Sequence, residues 1–154
     1  MNDLPNEIQA NEIRSNENPP IEPLEIQMQL TVAYVGFGGN TKDGHYFYSF
    51  NPHTVLVGKG QQGIRMRYVL QEDVPSYFKI VTLLSSDARH QIHDVVVEDD
   101  GRSVRFSNNN NVKTLIFFSI ICRDERRDIV FGCDPQVGND PEIKPLPLPP
   151  THGA

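Results

Sequence analysis

The first clear pattern in the chain is a strict alternation of apolar and polar residues that begins at Leu24. The apolar positions are Leu24, Ile26, Met28, Leu30 and Val32. A period of two places these side chains on one face of an extended chain and is typical of a half-buried β-strand. The pattern stops at the glycine-rich stretch 36–40, which predicts a loop.

Eight further strand candidates follow at short intervals, and no segment shows a sustained 3.6-residue period. They cover residues 45–50, 54–57, 64–70, 77–84, 92–98, 103–107, 113–122 and 129–133. The dipeptide Asp100-Gly101 joins two of them and predicts a two-residue hairpin turn, because Gly readily adopts a positive φ. We therefore predict an all-β protein, an antiparallel β-sandwich of about 8–9 strands of immunoglobulin-like or cupredoxin-like type, with a closed barrel as the alternative.

The predicted core consists of the apolar residues assigned to the inward faces of these strands. These are Ile26, Met28, Leu30, Val32, Phe47, Val55, Ile64, Met66, Tyr68, Phe78, Ile80, Val95, Val97, Phe106, Leu115, Phe117 and Ile129. Placing Phe47 inside turns Tyr46 and Tyr48 outward, because successive side chains of a strand point to opposite faces. The alternative for this aromatic row is burial of both faces near a sandwich edge.

A length of 154 residues fits a single domain, and the two ends of the chain differ from the rest in composition. Residues 1–23 are rich in Asn, Glu and Pro and predict a flexible acidic leader. Residues 24–140 form the predicted sandwich, and residues 141–154 a Pro-rich, extended tail. Within the sandwich, Asp134-Pro135 is predicted to end the last paired strand, because Pro cannot donate to a ladder.

The net charge of -6 is concentrated in these two ends. Residues 1–24 carry five acids and one base, residues 134–154 carry three acids and one base, and the 12 acids and 12 bases between them cancel. Because residues 25–133 carry no excess of basic side chains, we do not expect nucleic acid as a partner. Because there is neither a signal peptide nor a long apolar run, we predict a soluble, cytoplasmic protein without a membrane partner.

The two cysteines, Cys122 and Cys133, fall in a predicted hairpin that turns at residues 125–126. On that register Cys133 lies opposite residue 118 or 119, so direct pairing is not expected and free thiols are predicted, as in a reducing compartment. Neither cysteine is followed closely by the His and Met ligands of a blue-copper site. We therefore predict no cofactor.

The chain offers no convincing catalytic group. Ser85 and Ser86 lie near His90, but there is no Gly-x-Ser-x-Gly elbow, and the glycines of 36–39 are followed by no helix that could hold a phosphate. His90 and His93 are weak metal candidates, since in a strand they would point to opposite faces, and exposed loop histidines are the plainer interpretation. We predict that the protein is not an enzyme.

Binding is the remaining class of function. The candidate binding residues are Tyr46, Tyr48, Arg65, Arg67, Asn109 and Asn110. Exposed Tyr side chains are suited to sugar stacking and to protein interfaces. The arginines suit either an acidic partner or cross-strand acids, and the asparagine run either a connecting loop or a contact surface. We predict a protein-interaction module with a protein partner or self-association, and as the alternative a small-ligand or carbohydrate module that uses the Tyr46/Tyr48 face.

The end of the predicted sandwich carries a short motif. An apolar strand around 117–121 is followed by a charged turn and a second strand that ends in Asp-Pro-x-Val-x-Asn at residues 134–139. This ending resembles a group of small uncharacterised bacterial proteins with cupredoxin-like or immunoglobulin-like sandwiches. The resemblance implies the fold and a bacterial, soluble setting, and it implies no activity.

Overall fold

The computed structural model describes residues 24–144, which form ten β-strands, one short 3-10 turn and no α-helix. The strands are β1 Glu25–Tyr34, β2 Tyr46–Asn51, β3 Thr54–Val57, β4 Ile64–Leu70, β5 Phe78–Ser85, β6 Ile92–Glu98, β7 Ser103–Asn108, β8 Thr114–Asp124, β9 Ile129–Cys133 and β10 Gln136–Asn139. The predicted all-β class is confirmed. The predicted acidic leader and residues 145–154 of the predicted tail lie outside the described residues.

The strands form two sheets. Sheet 1 has the order β2-β1-β4-β7-β6, and sheet 2 has the order β3-β10-β8-β5, with β9 also paired to β8. Their inner faces share one core, in which Tyr68 of sheet 1 lies 6.4 Å from Phe118 of sheet 2 between ring centroids. Two open sheets around a common core are the arrangement of a β-sandwich and not of the closed barrel.

The sheets are mixed, so the prediction of a purely antiparallel sandwich is wrong in this respect. The pairs β1–β4 and β3–β10 run parallel, with Met28 opposite Tyr68 and Val55 opposite Val137. A parallel pair needs a crossover connection. Here the chain leaves sheet 1 after β2, contributes β3 to sheet 2 and returns as β4, which lets β4 run in the direction of β1.

The predicted core is buried or half-buried at most positions, but it is wrong at five. Phe47, Val95, Val97, Leu115 and Phe117 are between 36% and 53% exposed. In β8 both faces are apolar, so the pattern alone does not decide which face is inside, and a shift of one residue inverts every side chain. In β2 the face opposite Phe47 carries Tyr46, Tyr48 and Phe50, and it is the more apolar one. The structure buries Tyr46, Phe50, Ile116, Phe118 and Ile120 instead.

The two valines are exposed for a different reason. Among the strands of residues 24–144, β6 is the edge of sheet 1 and pairs only with β7. A β-bulge lies between His93 and Val96, and Asp94 within it has a φ of 55°. An edge strand that bulges away from its neighbour leaves its side chains in solvent on both faces.

Strand β10 is a second feature that the sequence pattern did not predict. Pro135 interrupts the pairing along β8 but does not end it, because its carbonyl still accepts a hydrogen bond from Phe118 N at 3.0 Å. From Gln136 the chain pairs again, with both β8 and β3. The prediction that Asp134-Pro135 ends the last paired strand is therefore wrong.

Both predicted hairpins are present. The one at Asp100-Gly101 joins β6 to β7, but its loop has four residues, 99–102, between the paired Glu98 and Ser103, and the φ of Asp99, Asp100 and Gly101 is 54°, 53° and 80°. The second joins β8 to β9, with Cys133 opposite Ile120 rather than residue 118 or 119. Cys122 and Cys133 are buried free thiols.

Candidate functional site

The two candidate tyrosines do not form an exposed surface, so that part of the prediction is wrong. Tyr46 is 1% exposed, its ring stacks on Phe131 with centroids 4.0 Å apart, and its hydroxyl donates to Asp124 Oδ2 at 2.7 Å. Tyr48 is half-buried against Phe50. The exposed aromatic residue of the row is Phe47.

Asp124, the partner of Tyr46, lies at the end of β8 and is fully buried. The backbone N–H groups of Arg126 and Arg127 donate to its Oδ1, and Arg127 Nη1 donates to its Oδ2 at 3.1 Å. Burial alone would raise the pKa of Asp124, but the hydrogen bonds from Tyr46 and Arg127 outweigh it and hold the pKa below its ordinary value. These contacts fasten the β8–β9 turn of sheet 2 to β2 of sheet 1.

The candidate arginines lie on the outer face of sheet 1. Arg67 contacts Glu98 at 3.1 Å and Glu25 at 3.4 Å, and Arg105 contacts the same Glu98 at 2.9 Å. Arg65 makes no ion pair within residues 24–144. Arg67 therefore pairs with acidic residues of other strands, which is one of the two roles predicted for the arginines. Its charge is balanced within sheet 1.

The candidate asparagines belong to a polar cluster at one end of the core. Asn110 is buried, with its Nδ2 donating to Gly58 O at 2.8 Å and its own N–H to Asn108 Oδ1 at 3.1 Å. Asn109 is half-buried, and its Oδ1 lies 2.7 Å from His93 Nε2. Through these contacts the loop after β7 of sheet 1 is joined to Gly58, which follows β3 of sheet 2. This gives the asparagines a structural role. A binding role of the asparagines stays a prediction.

The two candidate histidines lie in different parts of the chain's local structure, because only His93 belongs to β6. His90 lies in an exposed turn, and His93 lies between Asp94 and Asn109, 2.9 Å and 2.7 Å from its two ring nitrogens. These neighbours raise the pKa of His93, Asp94 more than Asn109. Across residues 24–144, no three His, Cys, Asp or Glu side chains come together in a group that could hold a metal ion.

The most distinctive surface is the outer face of sheet 2, defined here by Leu56, Leu84, Leu115 and Phe117. Each of these side chains is about half exposed, between 44% and 56%. Leu56 and Leu115 flank Gly138 in one row of the sheet, and Phe117 lies in the next row, opposite Gln136. A shallow depression of about 450 Å³ lies beside Phe117 and Leu84.

Glycines keep this face flat where β9 and β10 cross it. A Cβ on Gly138 would lie 3.3 Å from Leu56 Cδ1, and a Cβ on Gly132 would lie 2.9 Å from Ser119 Oγ. Side chains at either position would therefore crowd the neighbouring strands. Sequence reasoning missed this face because it assigned Leu115 and Phe117 to the core, although the unbroken apolar run 115–118 was a signal of a strand that is apolar on both faces.

Comparisons with known proteins identify no family for this chain. No protein-family model and no curated protein sequence matches the chain. The likeness of residues 134–139 to small bacterial sandwich proteins thus stays a prediction. Within residues 24–144, no helix has the length and apolar character of a membrane span.

Proposed function

We propose that this protein is a non-enzymatic interaction module that self-associates, with the outer face of sheet 2 packed against the same face of a second copy. The observation that carries the proposal is the contrast between the two outer faces of the sandwich. The outer face of sheet 1 holds the Glu25, Arg67, Glu98 and Arg105 ion pairs. That of sheet 2 holds half-exposed Leu and Phe side chains, and contiguous exposed apolar surface is typical of interaction sites.

A second copy suits this face because two sheets pack well when both are flat and apolar. Sheets stack face to face at about 10 Å, with interdigitating side chains. The glycines at 132 and 138 place no side chains of their own on this face, and the neighbouring Leu56 and Ser119 side chains lie over them. A twofold axis through the face would bring each Phe117 next to the apolar row of the other copy, as in other isologous dimers.

The size of the face sets the expected strength of the dimer. Standard strand spacings give the four strands a width of about 15 Å, and the apolar rows a length of about 15 Å. Two such faces would bury about 450 Å² in total, which is below the size of stable interfaces and typical of a weak, transient contact. We therefore expect a weak, rapidly reversible dimer with a dissociation constant of about 0.1–1 mM.

The test compares two exposed phenylalanines. Phe117 and Phe47 are 53% and 48% exposed, each on a strand, but Phe47 lies outside the outer face of sheet 2. Sedimentation equilibrium over a wide concentration range should show a monomer–dimer equilibrium for the wild-type protein and for Phe47→Ser. For Phe117→Ser we expect a monomer at every concentration. A wild-type protein that stays monomeric up to the highest soluble concentration, or equal weakening by both substitutions, would contradict the proposal.

The finer assignments belong to the same proposal. An immunoglobulin-like or cupredoxin-like sandwich is supported by the two packed sheets and by strand pairs that join distant parts of the chain. A cytoplasmic setting is supported by the two free thiols, which oxidising compartments disfavour.

A further inference from the structure

The depression beside Phe117 and Leu84 on the outer face of sheet 2 contains a charge that a purely apolar contact would leave unused. Among the described residues that line its volume of about 450 Å³, Asp134 is the charged one. Asp134 is exposed and makes no ion pair within residues 24–144. A protein surface that covers this depression would therefore gain from placing a cation next to Asp134.

The Asp134 side chain is directed onto the outer face of the sheet. A Cβ built on Gly132 would lie 3.7 Å from Asp134 Oδ1 and 2.9 Å from Ser119 Oγ. This Cβ points outward, because Gly132 lies between the buried Phe131 and Cys133 and successive residues of a strand face opposite sides. The carboxylate of Asp134 therefore stands beside Ser119, where a facing molecule can reach it.

Lys113 supplies a cation beyond the opposite end of the apolar rows. It directly precedes β8, and its side chain is 80% exposed. Its Nζ lies 3.6 Å from Oδ2 of Asp140, the residue that follows β10, so Lys113 leans toward the side of β8 on which Asp134 also lies. An ammonium group has several donors, and this single contact leaves some of them for a second carboxylate.

The symmetry of the self-association brings the two ends of the apolar rows together. A twofold axis that lies between two facing copies and crosses β8 at right angles at Ile116 places Leu115 of each copy against Phe117 of the other. Positions on one side of a strand recur at a constant spacing of about 7 Å. The same axis therefore places Lys113 of each copy against Ser119 of the other.

We propose that Lys113 of each copy enters the depression of the other copy and forms an ion pair with its Asp134. The inference rests on the proposed self-association and determines the register of that contact. The axis preserves the order of the strands across the face, so the ammonium and carboxylate groups meet on the same side of β8. Stacked sheets are about 10 Å apart, a gap that two side chains close from opposite sides. The methylene stem of Lys113 packs on Phe117.

The two symmetry-related ion pairs select one orientation of an otherwise unspecific apolar contact. An exposed ion pair adds little to affinity, whereas like charges in the same place repel and exclude a wrong arrangement. Registers that shift the apolar rows would leave Asp134 facing Leu or Phe side chains. Because dissolved ions screen exposed charges, the dimer should weaken as the salt concentration rises.

The experiment uses two charge-reversal variants of the full chain, Lys113→Glu and Asp134→Lys. Alone, each variant brings like charges together at both pairs, and its dissociation constant should rise about tenfold. In an equimolar mixture both pairs again join opposite charges, so the mixed dimer should form with the affinity of the wild-type protein. Sedimentation equilibrium measures each variant alone, and an NMR titration of one isotope-labelled variant with the other measures the mixed dimer.

Lys42→Glu and Asp73→Lys are the matched controls, because they change the net charge by the same amounts at exposed positions in the β1–β2 and β4–β5 loops. They should associate like the wild-type protein, and mixing them should add nothing. Equal behaviour of test and control variants, or a mixture that does not regain affinity, overturns the ion pair. If Phe117→Ser still prevents association in that case, self-association stands without it. A wild-type protein that stays monomeric overturns both proposals.

Discussion

The side-chain amides of Asn108 and Asn139 donate to each other, with both Nδ2–Oδ1 distances at 2.8 Å. Asn108 ends β7 in sheet 1 and Asn139 ends β10 in sheet 2, and both are buried. The pair therefore joins the two sheets by polar contacts in the interior, where each amide satisfies the other. A buried amide that loses its partner keeps the cost of its desolvation.

Asn139→Ala should lower the free energy of unfolding by about 2 kcal/mol, because the Asn108 amide is left buried with an unsatisfied donor. The double variant Asn108→Ala/Asn139→Ala should cost less than the sum of the two single variants, since they remove the same interaction. Urea denaturation measures all three. Gln136→Ala, on the solvent side of the same strand, is the control and should change little. Strictly additive losses would show that the amides do not act as a pair.

This pair also marks the limit of what the sequence could predict. Residues 108–111 were predicted as a connecting loop, and most of that run does lie between β7 and β8. Asn108 points inward because it follows Val104 and Phe106 on the buried side of β7, but its hydrogen-bond partner lies 31 residues away. No local pattern encodes such a contact, because an Asn in a loop and an Asn in a buried pair look alike in the sequence.

Strand positions were predictable and strand faces were only partly so. In β1 and β4 one face is apolar and the other polar, so Met28 and Met66 were assigned correctly to the core. In β8, Leu115 and Phe117 alternate with Ile116 and Phe118, and both sets are apolar. The choice between them depends on the opposing sheet, which the local sequence does not contain. The outer face of sheet 2 could be located only once that choice was known.

The hydrogen bond from Tyr46 to Asp124 supports a second stability prediction. Tyr46→Phe keeps the ring that stacks on Phe131 and removes only the hydroxyl. Because a hydrogen bond to a buried carboxylate is lost, we expect a decrease of about 2 kcal/mol in the free energy of unfolding. Tyr34→Phe is the control, since it keeps a ring beneath the Arg127 guanidinium. Equal effects of the two substitutions would contradict the assignment.

The lowered pKa of Asp124 predicts a loss of stability in acid. A carboxyl whose pKa is lower in the folded than in the unfolded state stabilises the fold above its unfolded pKa of about 3.8 and loses that contribution as the pH falls through the folded value. Melting temperatures measured across this acidic range should therefore fall more steeply for the wild-type protein than for Asp124→Asn. At neutral pH the variant should be less stable, because the contacts of the carboxylate with Arg127 are weakened. Parallel acid profiles would be evidence against a lowered pKa.

His93 should show the opposite pH dependence. Both of its ring nitrogens face acceptors, the Asp94 carboxylate and the Asn109 side-chain oxygen, so the doubly protonated cation is favoured and the pKa is raised above 6.5. The resulting stabilisation is present below pH 6.5 and is lost as the pH rises through the folded pKa. An NMR titration should find the His93 pKa above the ordinary value of a histidine and lowered by Asp94→Asn. A His93 pKa at or below the ordinary value would show that these contacts do not persist in solution.

The two thiols should be unreactive in the folded protein. Cys122 and Cys133 are buried on adjoining strands, and the contact of Cys133 with Cys122, together with burial, raises the pKa of Cys133. A thiol that is both protonated and shielded reacts slowly with disulfide reagents, because the thiolate is the nucleophile. Ellman's reagent should label neither cysteine of the native protein on the timescale on which it labels the surface control Lys59→Cys, and it should label both in concentrated guanidinium. Labelling of either native cysteine at the rate of the control would mean that the β8–β9 hairpin opens readily, and that the core beneath the outer face of sheet 2 is less tightly packed than its buried side chains indicate.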